Sequence, residues 1–323
     1  MKSETMNIVI AVNPSYVPYA YIMLSSLLAN NPHAVNVYVL HHNLTQEDKQ
    51  AFQPLETLYP VTFHYLFIPD SLLPPEDVLS STSWGIETYF RLVIIDLIPE
   101  NVERVLYLDS DMIVNQSLDE LYFHDFDGKK LIVCPDFHSV PPFNNYRDSL
   151  FKDILSPDFR YFNAGLILFH LDALRGNCCF KTYMDAARNL NYQIEFPDQD
   201  LLNYCHHDDF LLVDGKRYNL FARRAFTDYH MRYKDVKSNV CVVHYTNSKP
   251  WEGNCLHCEI EQLWWDYAEK TPFCHNLMEH MLHQIMFDTS IRTYAANLHA
   301  EQQQLIDIKE KYKLLLENYG IQI

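Results

Sequence analysis

The chain has 323 residues, of which 48% are hydrophobic, so it is long enough for one large α/β domain and a smaller appendage. With 25 basic and 42 acidic residues its formal charge is −17, which disfavours nucleic-acid partners and electrostatic binding to anionic membranes, because both need a basic surface. We expect a soluble cytoplasmic protein, with peripheral association at the inner face of a membrane left open, because the chain has no long apolar span, no apolar leader in Met1–Thr5 and no disulfide framework among its eight cysteines.

Short apolar runs predict buried strands in the first third of the chain. These strands are predicted over Asn7–Val12, Val35–Leu40, Val61–Phe67 and Arg104–Leu108. The intervening segments predict helices over Tyr16–Ala29, from Thr45 onwards, and over Glu87–Leu97. This alternation predicts a mostly parallel sheet with helices on both faces.

The second half of the chain has a less regular pattern. Its apolar runs predict strands over Leu131–Val133, Leu166–Phe169 and Val240–Val243, the last of which leads into His244. Helices are predicted over Phe180–Leu190 and Gln199–Cys205. No linker is visible before about residue 275, so we assign residues 1–274 to one domain and residues 275–323 to a helical extension.

The C-terminal stretch has a heptad pattern, with apolar residues at alternating steps of four and three and Glu301 as the polar break. Those residues are Phe287, Ile291, Tyr294, Leu298, Leu305, Ile308, Tyr312, Leu315 and Tyr319. The pattern fits a helix that docks on the main domain, and it also fits a coiled-coil contact with a second copy of the chain.

Two carboxylates, Asp109 and Asp111, directly follow the fourth predicted strand. Residues at i and i+2 of an extended chain lie on the same side, so the pair is well placed to share a divalent cation. In parallel sheets, ligands bind at the carboxyl ends of strands. Asn13 follows the first strand, so we expect it at the same crevice.

His244 closes a late apolar run and is the best-placed nitrogen ligand for such a cation, although a strand-end histidine is more often structural. Imidazole suits Mn²⁺ better than the harder Mg²⁺. Lys249 follows five residues later, beside Pro250 and Trp251, where it could neutralise a diphosphate leaving group.

Ordered motifs connect these residues to a known family. They are Thr88-Tyr89-Phe90-Arg91, Tyr107-Leu108-Asp109-Ser110-Asp111, Phe162-Asn163-Ala164-Gly165, Asp198-Gln199-Asp200, and His244-Tyr245 with Lys249-Pro250-Trp251. From about Asn7 to Trp251 the chain resembles glycosyltransferase family 8, the retaining nucleotide-sugar transferases that include bacterial lipopolysaccharide galactosyl- and glucosyltransferases and glycogenin. The resemblance implies a single Rossmann-like nucleotide-binding domain of the glycosyltransferase A type.

The resemblance also implies roles for individual residues. Asp109, Asp111 and His244 would hold Mn²⁺, with Mg²⁺ as the other candidate, and the metal would grip the diphosphate of a UDP-sugar. The residues implied to bind the nucleotide and donor sugar are Ala11, Asn13, Tyr16, Ser110, Asn163, Ala164 and Lys249. Those implied to act at the reacting sugar are Arg91, Asp198, Gln199 and Asp200, with Gln199 stabilising an oxocarbenium-like centre.

One loop departs from the family pattern. The segment between His244 and Lys249 is one residue shorter than in the family and lacks its glycine, which lets backbone approach a phosphate closely. Asn247 tolerates left-handed geometry and is the candidate substitute.

The sequence therefore predicts a metal-dependent retaining transferase that moves glucose or galactose from a UDP-sugar to a glycan or glycolipid. Two other readings stay open: a non-catalytic nucleotide-sugar-binding protein, and a phosphatase of the haloacid-dehalogenase type. Cys255 and Cys258 fit free thiols better than a zinc site, because no second pair has regular spacing. Four aromatic residues fit the core better than a ligand cage: Trp264, Trp265, Tyr267 and Phe273.

Overall fold

The computed structural model describes residues 5–79, 85–137, 139–143, 145–246, 248–253, 255, 257–287 and 289–318. Within these ranges, no helix is both long enough and apolar enough to cross a bilayer. Asn247, the candidate substitute for the missing loop glycine, lies outside the described residues.

The main sheet has seven strands in the order β3-β2-β1-β4-β7-β6-β8. Its strands are β1 (Met6–Ala11), β2 (Val35–His41), β3 (Val61–Phe67), β4 (Arg104–Leu108), β6 (Leu131–Pro135), β7 (Phe162–His170) and β8 (Phe210–Leu212). The first four strands are parallel, as predicted, whereas β7 runs antiparallel to both β4 and β6. Because β7 is antiparallel to β4, the first residues of β7 lie beside the last residues of β4.

A second, three-stranded sheet begins just beyond the carboxyl end of β4. It consists of β5 (Met112–Val114), β9 (Leu220–Phe221) and β10 (Val242–His244), in the order β5-β10-β9. The predicted strand over Val240–Val243 is therefore shifted towards His244, which pairs with Met112 of β5. Because β5 follows the two aspartates directly, this pairing carries the histidine towards them.

Sixteen α-helices are described. They are α1 (Val17–Asn30), α2 (Gln46–Gln50), α3 (Gln53–Leu58), α4 (Glu76–Leu79), α5 (Ile94–Leu97), α6 (Asp119–Tyr122), α7 (Asn145–Leu150), α8 (Leu171–Leu174), α9 (Phe180–Asn189), α10 (Pro197–His206), α11 (Gly215–Tyr218), α12 (Ala222–Thr227), α13 (Tyr233–Asn239), α14 (Gln262–Ala268), α15 (Cys274–Phe287) and α16 (Thr289–Asn318). Short 3₁₀ helices cover Pro14–Tyr16, Asp70–Leu72, Ile86–Val93 and Glu259–Glu261.

The α-helix predicted over Glu87–Leu97 is wrong for most of its length, because Ile86–Val93 forms a 3₁₀ helix and only Ile94–Leu97 is α-helical. All five residues of Tyr89–Val93 are buried. The pattern of apolar residues over so short a segment does not distinguish the two helix types.

The apolar side chains form one cluster on each face of the main sheet and a third beneath the small sheet. Trp264 and Tyr267 are buried in this third cluster, which confirms their prediction as core residues, and Trp265 and Phe273 pack against it. All eight cysteines are free thiols.

The C-terminal extension consists of two helices, α15 and α16. Helix α15 packs on the loop after Lys249, where the Gly253 backbone N–H donates to Gln284 Oε1 at 2.7 Å. A Cβ atom at Gly253 would lie 2.3 Å from the Met281 carbonyl oxygen, so the contact requires glycine. Among the described side chains, four residues of the heptad pattern are exposed: Phe287, Leu298, Leu305 and Ile308. Tyr319 lies outside the described residues.

Candidate active site

The site lies where β1 and β4, which are parallel neighbours, reach their carboxyl ends. Ala11 is the last residue of β1, and Asp109 directly follows β4. The Asp109 backbone N–H donates to the Gly165 carbonyl of β7 at 2.9 Å. Ala11 and residues of two separate motifs therefore meet at one edge of the sheet.

Asp109, Asp111 and His244 form the group that could hold a metal ion. One ligand atom from each lies within 4.8 Å of the others. His244 Nε2 is 3.1 Å from Asp111 Oδ1 and 3.8 Å from Asp109 Oδ2. Two carboxylates and an imidazole are a donor set that suits Mn²⁺. Among the described residues this is the one such group, so Cys255 and Cys258 belong to no metal cluster there.

Lys249 lies directly beside this group. Its Nζ contacts the Asp111 carboxylate and donates to the Tyr245 carbonyl at 2.9 Å. Burial acts to raise the pKa of Asp111, but Lys249 and His244 outweigh it and hold that pKa well below its usual range. The carboxylate is therefore ionised throughout the neutral range, as a metal ligand must be.

Arg91 links the metal group to the Asp198 motif. Its guanidinium lies 2.9 Å from carboxylate oxygens of both Asp109 and Asp198, and it donates to the Ala164 carbonyl at 2.6 Å. The Tyr107 ring lies 4.6 Å beneath the guanidinium, and its hydroxyl donates to Asp109 at 2.7 Å. Burial raises the pKa of Asp198 to about 6, against the attraction of Arg91.

Gln199 lies in the first turn of α10, and both the oxygen and the nitrogen of its side-chain amide make hydrogen bonds. Its Oε1 accepts from Asn163 Nδ2 at 3.0 Å and from the Ala164 backbone N–H at 2.9 Å. Its Nε2 donates to the Tyr161 hydroxyl at 3.3 Å. The structure thus brings Asn163, Ala164 and Gln199 together, as the motifs predict.

Asp200 follows Gln199 but is fully buried. Its carboxylate accepts from the hydroxyls of Tyr146 and Tyr161 and from the backbone N–H groups of Glu195 and Phe196. Burial raises the pKa of Asp200, and these donors act against that rise. The carboxylate holds the turn before α10 in place, so its contacts differ from those of a group that meets the reacting sugar.

Asn13 caps the short 3₁₀ helix after β1, and Tyr16 is the last residue of that helix. Asn13 Oδ1 accepts from the Tyr16 backbone N–H at 3.1 Å, and Nδ2 donates to Glu87 at 3.0 Å. Burial and the charge of Asp111 raise the pKa of Tyr16, whereas Lys249 lowers it. These interactions place the phenol of Tyr16, which is 39% exposed, within electrostatic reach of the metal group.

Three residues of this site are not predicted from the sequence. Tyr107 and Glu87 lie inside or beside quoted motifs, but only the folded structure shows that they bond to Asp109 and Asn13. Asn219 is 3% exposed, and its Oδ1 lies 2.9 Å from His244 Nδ1. It precedes a strand of two residues, so no sequence periodicity marks it.

A pocket of about 370 Å³ adjoins the site, with Asn219 in its wall. Aromatic rings and cations line it in pairs. Arg224 Cζ lies 3.7 Å from the Phe137 ring centroid, and Lys216 Nζ lies 4.1 Å from that of Tyr229.

Comparisons with known proteins agree with this geometry. A Haemophilus influenzae protein with a glycosyltransferase name is 27% identical over 290 residues, which cover 84% of this chain and 85% of the relative. The lipopolysaccharide 1,2-glucosyltransferase of Escherichia coli is 25% identical over 260 residues, which cover 77% of this chain and 74% of the relative.

The fold matches that of the galactosyltransferase LgtC, whose structure was solved in complex with donor and acceptor sugar analogues. The TM-score is 0.68 at 23% identity, over 83% of this chain and 96% of the other. The model of the family "Glycosyl transferase family 8" matches residues 7–255. This match covers more than half of the chain and includes every motif described above, and it shows that the protein belongs to glycosyltransferase family 8.

Proposed function

We propose that this protein is a metal-dependent retaining hexosyltransferase that moves glucose or galactose from a UDP-sugar to a glycan or glycolipid. The observation that carries the proposal is the convergence of Asp109, Asp111 and His244 beside Lys249. The relatives support it, since one is named a glucosyltransferase and another a galactosyltransferase. Family membership sets the phosphatase reading aside.

The nucleotide part of the donor would lie across the ends of β1 and β4. In this proposal Ala11, Asn13 and Tyr16 line the nucleoside, and the Ser110 backbone faces the ribose. Asp109, Asp111 and His244 hold Mn²⁺, or else Mg²⁺, which when bound supplies Lewis-acid stabilisation of the diphosphate. Lys249 donates to the departing phosphate, so its bond with the Asp111 carboxylate exchanges when the donor enters.

The donor sugar would lie against Arg91, Asn163, Ala164 and Asp198. Gln199 faces the anomeric carbon with an amide that already accepts two hydrogen bonds. An amide is a poor nucleophile, so we propose that the acceptor attacks from the same face that the phosphate leaves. Asp200 acts indirectly in this scheme, because its carboxylate positions the turn that carries Gln199.

The acceptor would enter through the pocket of about 370 Å³, which adjoins the site at Asn219. Its aromatic residues, Phe137, Phe221 and Tyr229, offer surfaces on which sugar rings can stack. A volume of this size lies within the usual range for small-molecule sites, which is about 300–1,000 Å³.

We further propose that residues 1–274 form the transferase domain in the cytoplasm and that residues 275–323 contact a second copy of the chain. The exposed apolar side chains of α16, such as Leu305 and Ile308, support this contact. Knobs-into-holes packing between two such helices would remove these side chains from water.

The direct test is turnover of UDP-glucose and UDP-galactose with Mn²⁺, followed by UDP release. We expect Asp111→Asn to lower turnover by about a hundredfold or more, because second-shell changes alone cost 10- to 100-fold and this change removes a ligand. Asp172→Asn, an exposed carboxylate paired with Arg175, is the matched control. A binding protein without activity would give no turnover in the wild type.

A further inference from the structure

A chain of buried side-chain amides joins the metal group to the donor-sugar residues. His244 Nδ1 lies 2.9 Å from Asn219 Oδ1, and Asn219 Nδ2 lies 2.8 Å from Asn163 Oδ1. Asn163 Nδ2 in turn lies 3.0 Å from Gln199 Oε1. All four residues are less than 10% exposed. Each group therefore depends on its neighbours for hydrogen bonds, because water does not replace them easily.

Backbone groups of β7 fix the direction of every amide in this chain. The Gly165 N–H lies 3.1 Å from Asn163 Oδ1, and the Ala164 N–H lies 2.9 Å from Gln199 Oε1. A backbone N–H can only donate, so both of these side-chain atoms must be acceptors, that is, carbonyl oxygens. Asn219 must then present its NH₂ to Asn163 and its oxygen to His244.

This direction shows that Nδ1 of His244 carries a proton. An amide oxygen can only accept, so Nδ1 carries a hydrogen and donates it to Asn219. Nε2 is therefore the ring nitrogen that faces Asp111 and Asp109, at 3.1 and 3.8 Å. A ring nitrogen directed between two carboxylates is placed to give its lone pair to a cation, and a partner on the other ring nitrogen is a common way to orient such a ligand.

We propose that Asn219 is a positioning residue that fixes the Nδ1–H tautomer of His244 and couples the metal group to Asn163 and Gln199. The part that concerns the tautomer follows from hydrogen bonds alone, whereas the coupling to the donor sugar rests on the proposed function. Asn219 also lines the adjoining pocket, so one side chain borders the metal group, the donor-sugar residues and the pocket.

The first test measures the tautomer in the metal-free protein. Imidazole ¹⁵N chemical shifts of histidine-labelled protein, with His244→Gln to assign the signal, distinguish a protonated from an unprotonated ring nitrogen. We expect a protonated Nδ1 in the wild type. A protonated Nε2 with an unprotonated Nδ1 would overturn the proposal, and this measurement needs no variant of Asn219.

The second test uses Asn219→Ala and titrates Mn²⁺ by electron paramagnetic resonance in the presence of UDP. We expect mixed tautomers and an Mn²⁺ affinity that is about 10- to 100-fold weaker. The matched control is Asn31→Ala, because Asn31 is 2% exposed and also makes two hydrogen bonds with backbone, to Leu27 and Leu118. Wild-type affinity and tautomer in folded Asn219→Ala would refute the role of Asn219.

A third variant, Asn219→Asp, separates the two halves of the proposal. Aspartate still accepts from His244 Nδ1 but cannot donate to Asn163, so we expect a retained tautomer together with a raised KM for the UDP-sugar. An unchanged KM would refute the coupling. If no UDP-sugar is turned over at all while the wild-type tautomer is as stated, the proposed function fails and the tautomer assignment stands.

Discussion

Gly165 lies so close to His244 that a Cβ atom at position 165 would be 2.5 Å from imidazole Cε1, and 2.8 Å from Asp109 Oδ2. The substitution Gly165→Ala must therefore displace the histidine or the carboxylate. We expect the free energy of unfolding to fall by about 1–3 kcal/mol and the affinity for Mn²⁺ to fall by about tenfold or more. Calorimetric titration with Mn²⁺ and urea denaturation measure the two effects.

The control for this prediction is Gly176→Ala, in the turn that follows α8. Gly176 has a φ of 78°, so alanine is strained there, although no atom lies within 4 Å of the added Cβ. This variant should lose about 1 kcal/mol of stability and keep its Mn²⁺ affinity. Equal loss of Mn²⁺ binding in both variants would contradict a local effect at His244.

Arg91 is the only cation that ion-pairs with Asp198 within the described part of the chain. Arg91→Met leaves the buried Asp198 and the half-buried Asp109 without their shared partner. Removing one member of a buried ion pair costs about 3–5 kcal/mol, and we expect a loss of this order in urea denaturation. Addition of Asp198→Asn should recover part of it. Arg188→Met, in an exposed pair with Asp185, should leave the free energy of unfolding nearly unchanged.

His206 makes the fold sensitive to acid. Burial, with a smaller effect of Lys130, lowers the pKa of His206 to about 4 from its usual 6.5. The folded state therefore binds fewer protons than the unfolded chain between these values, so stability is complete above pH 6.5 and falls as the pH decreases towards 4. At about pH 5 the loss from this group is about 2 kcal/mol. Urea denaturation at about pH 7 and at about pH 5 measures the loss of stability between these two pH values. This loss should be smaller in His206→Gln than in the wild type, by about 2 kcal/mol. The same pH dependence in both proteins would contradict the assignment.

Gln284 of α15 should influence donor binding although it lies on the C-terminal extension. Gln284→Ala removes the hydrogen bond to the Gly253 N–H, which holds the loop after Lys249. A hydrogen bond contributes about 1 kcal/mol, so we expect UDP to bind about fivefold more weakly in the presence of Mn²⁺. Gln303→Ala, on α16, is the control, and equal affinities of the two variants for UDP would rule out the link.

The apolar face of α16 predicts association. The double variant Leu305→Lys, Ile308→Lys places two charges on that face, and both side chains are more than half exposed in the single chain. We expect light scattering coupled to size exclusion to show a dimer or larger species for the wild type and a monomer for the variant. Gln303→Lys should behave as the wild type does, and a monomeric wild type would exclude the contact.

The sequence predicts the first four strands well because each is rich in apolar residues; β1, β2 and β4 are largely buried, whereas the edge strand β3 is mostly half-buried. Strand β7 was only partly predicted, since its first residues, Asn163 to Gly165, are polar or small and their burial depends on α10 and β10. Strands β5 and β9 have three and two residues, which is too short for any periodicity to appear.

Within the candidate site, the residues predicted from the sequence are those whose chemistry is conspicuous, and residues that only orient other side chains were not predicted. A pair of aspartates after a strand is conspicuous, and so is a histidine before Lys249. Asn219 has no recognisable sequence signal, because its role depends on His244, which is 25 positions away in the chain. Asp200 shows the opposite case: its motif is prominent, but its carboxylate serves the turn before α10.

The contact at Gly253 has a consequence for how this protein can change. A single methyl group there would meet the backbone of α15, so the loop that carries Lys249 and the tail that covers it must vary together. A chimera that combines this transferase domain with the tail of a relative would need the matching loop as well. The first of the C-terminal helices is thus a support for that loop as well as an extension of the chain.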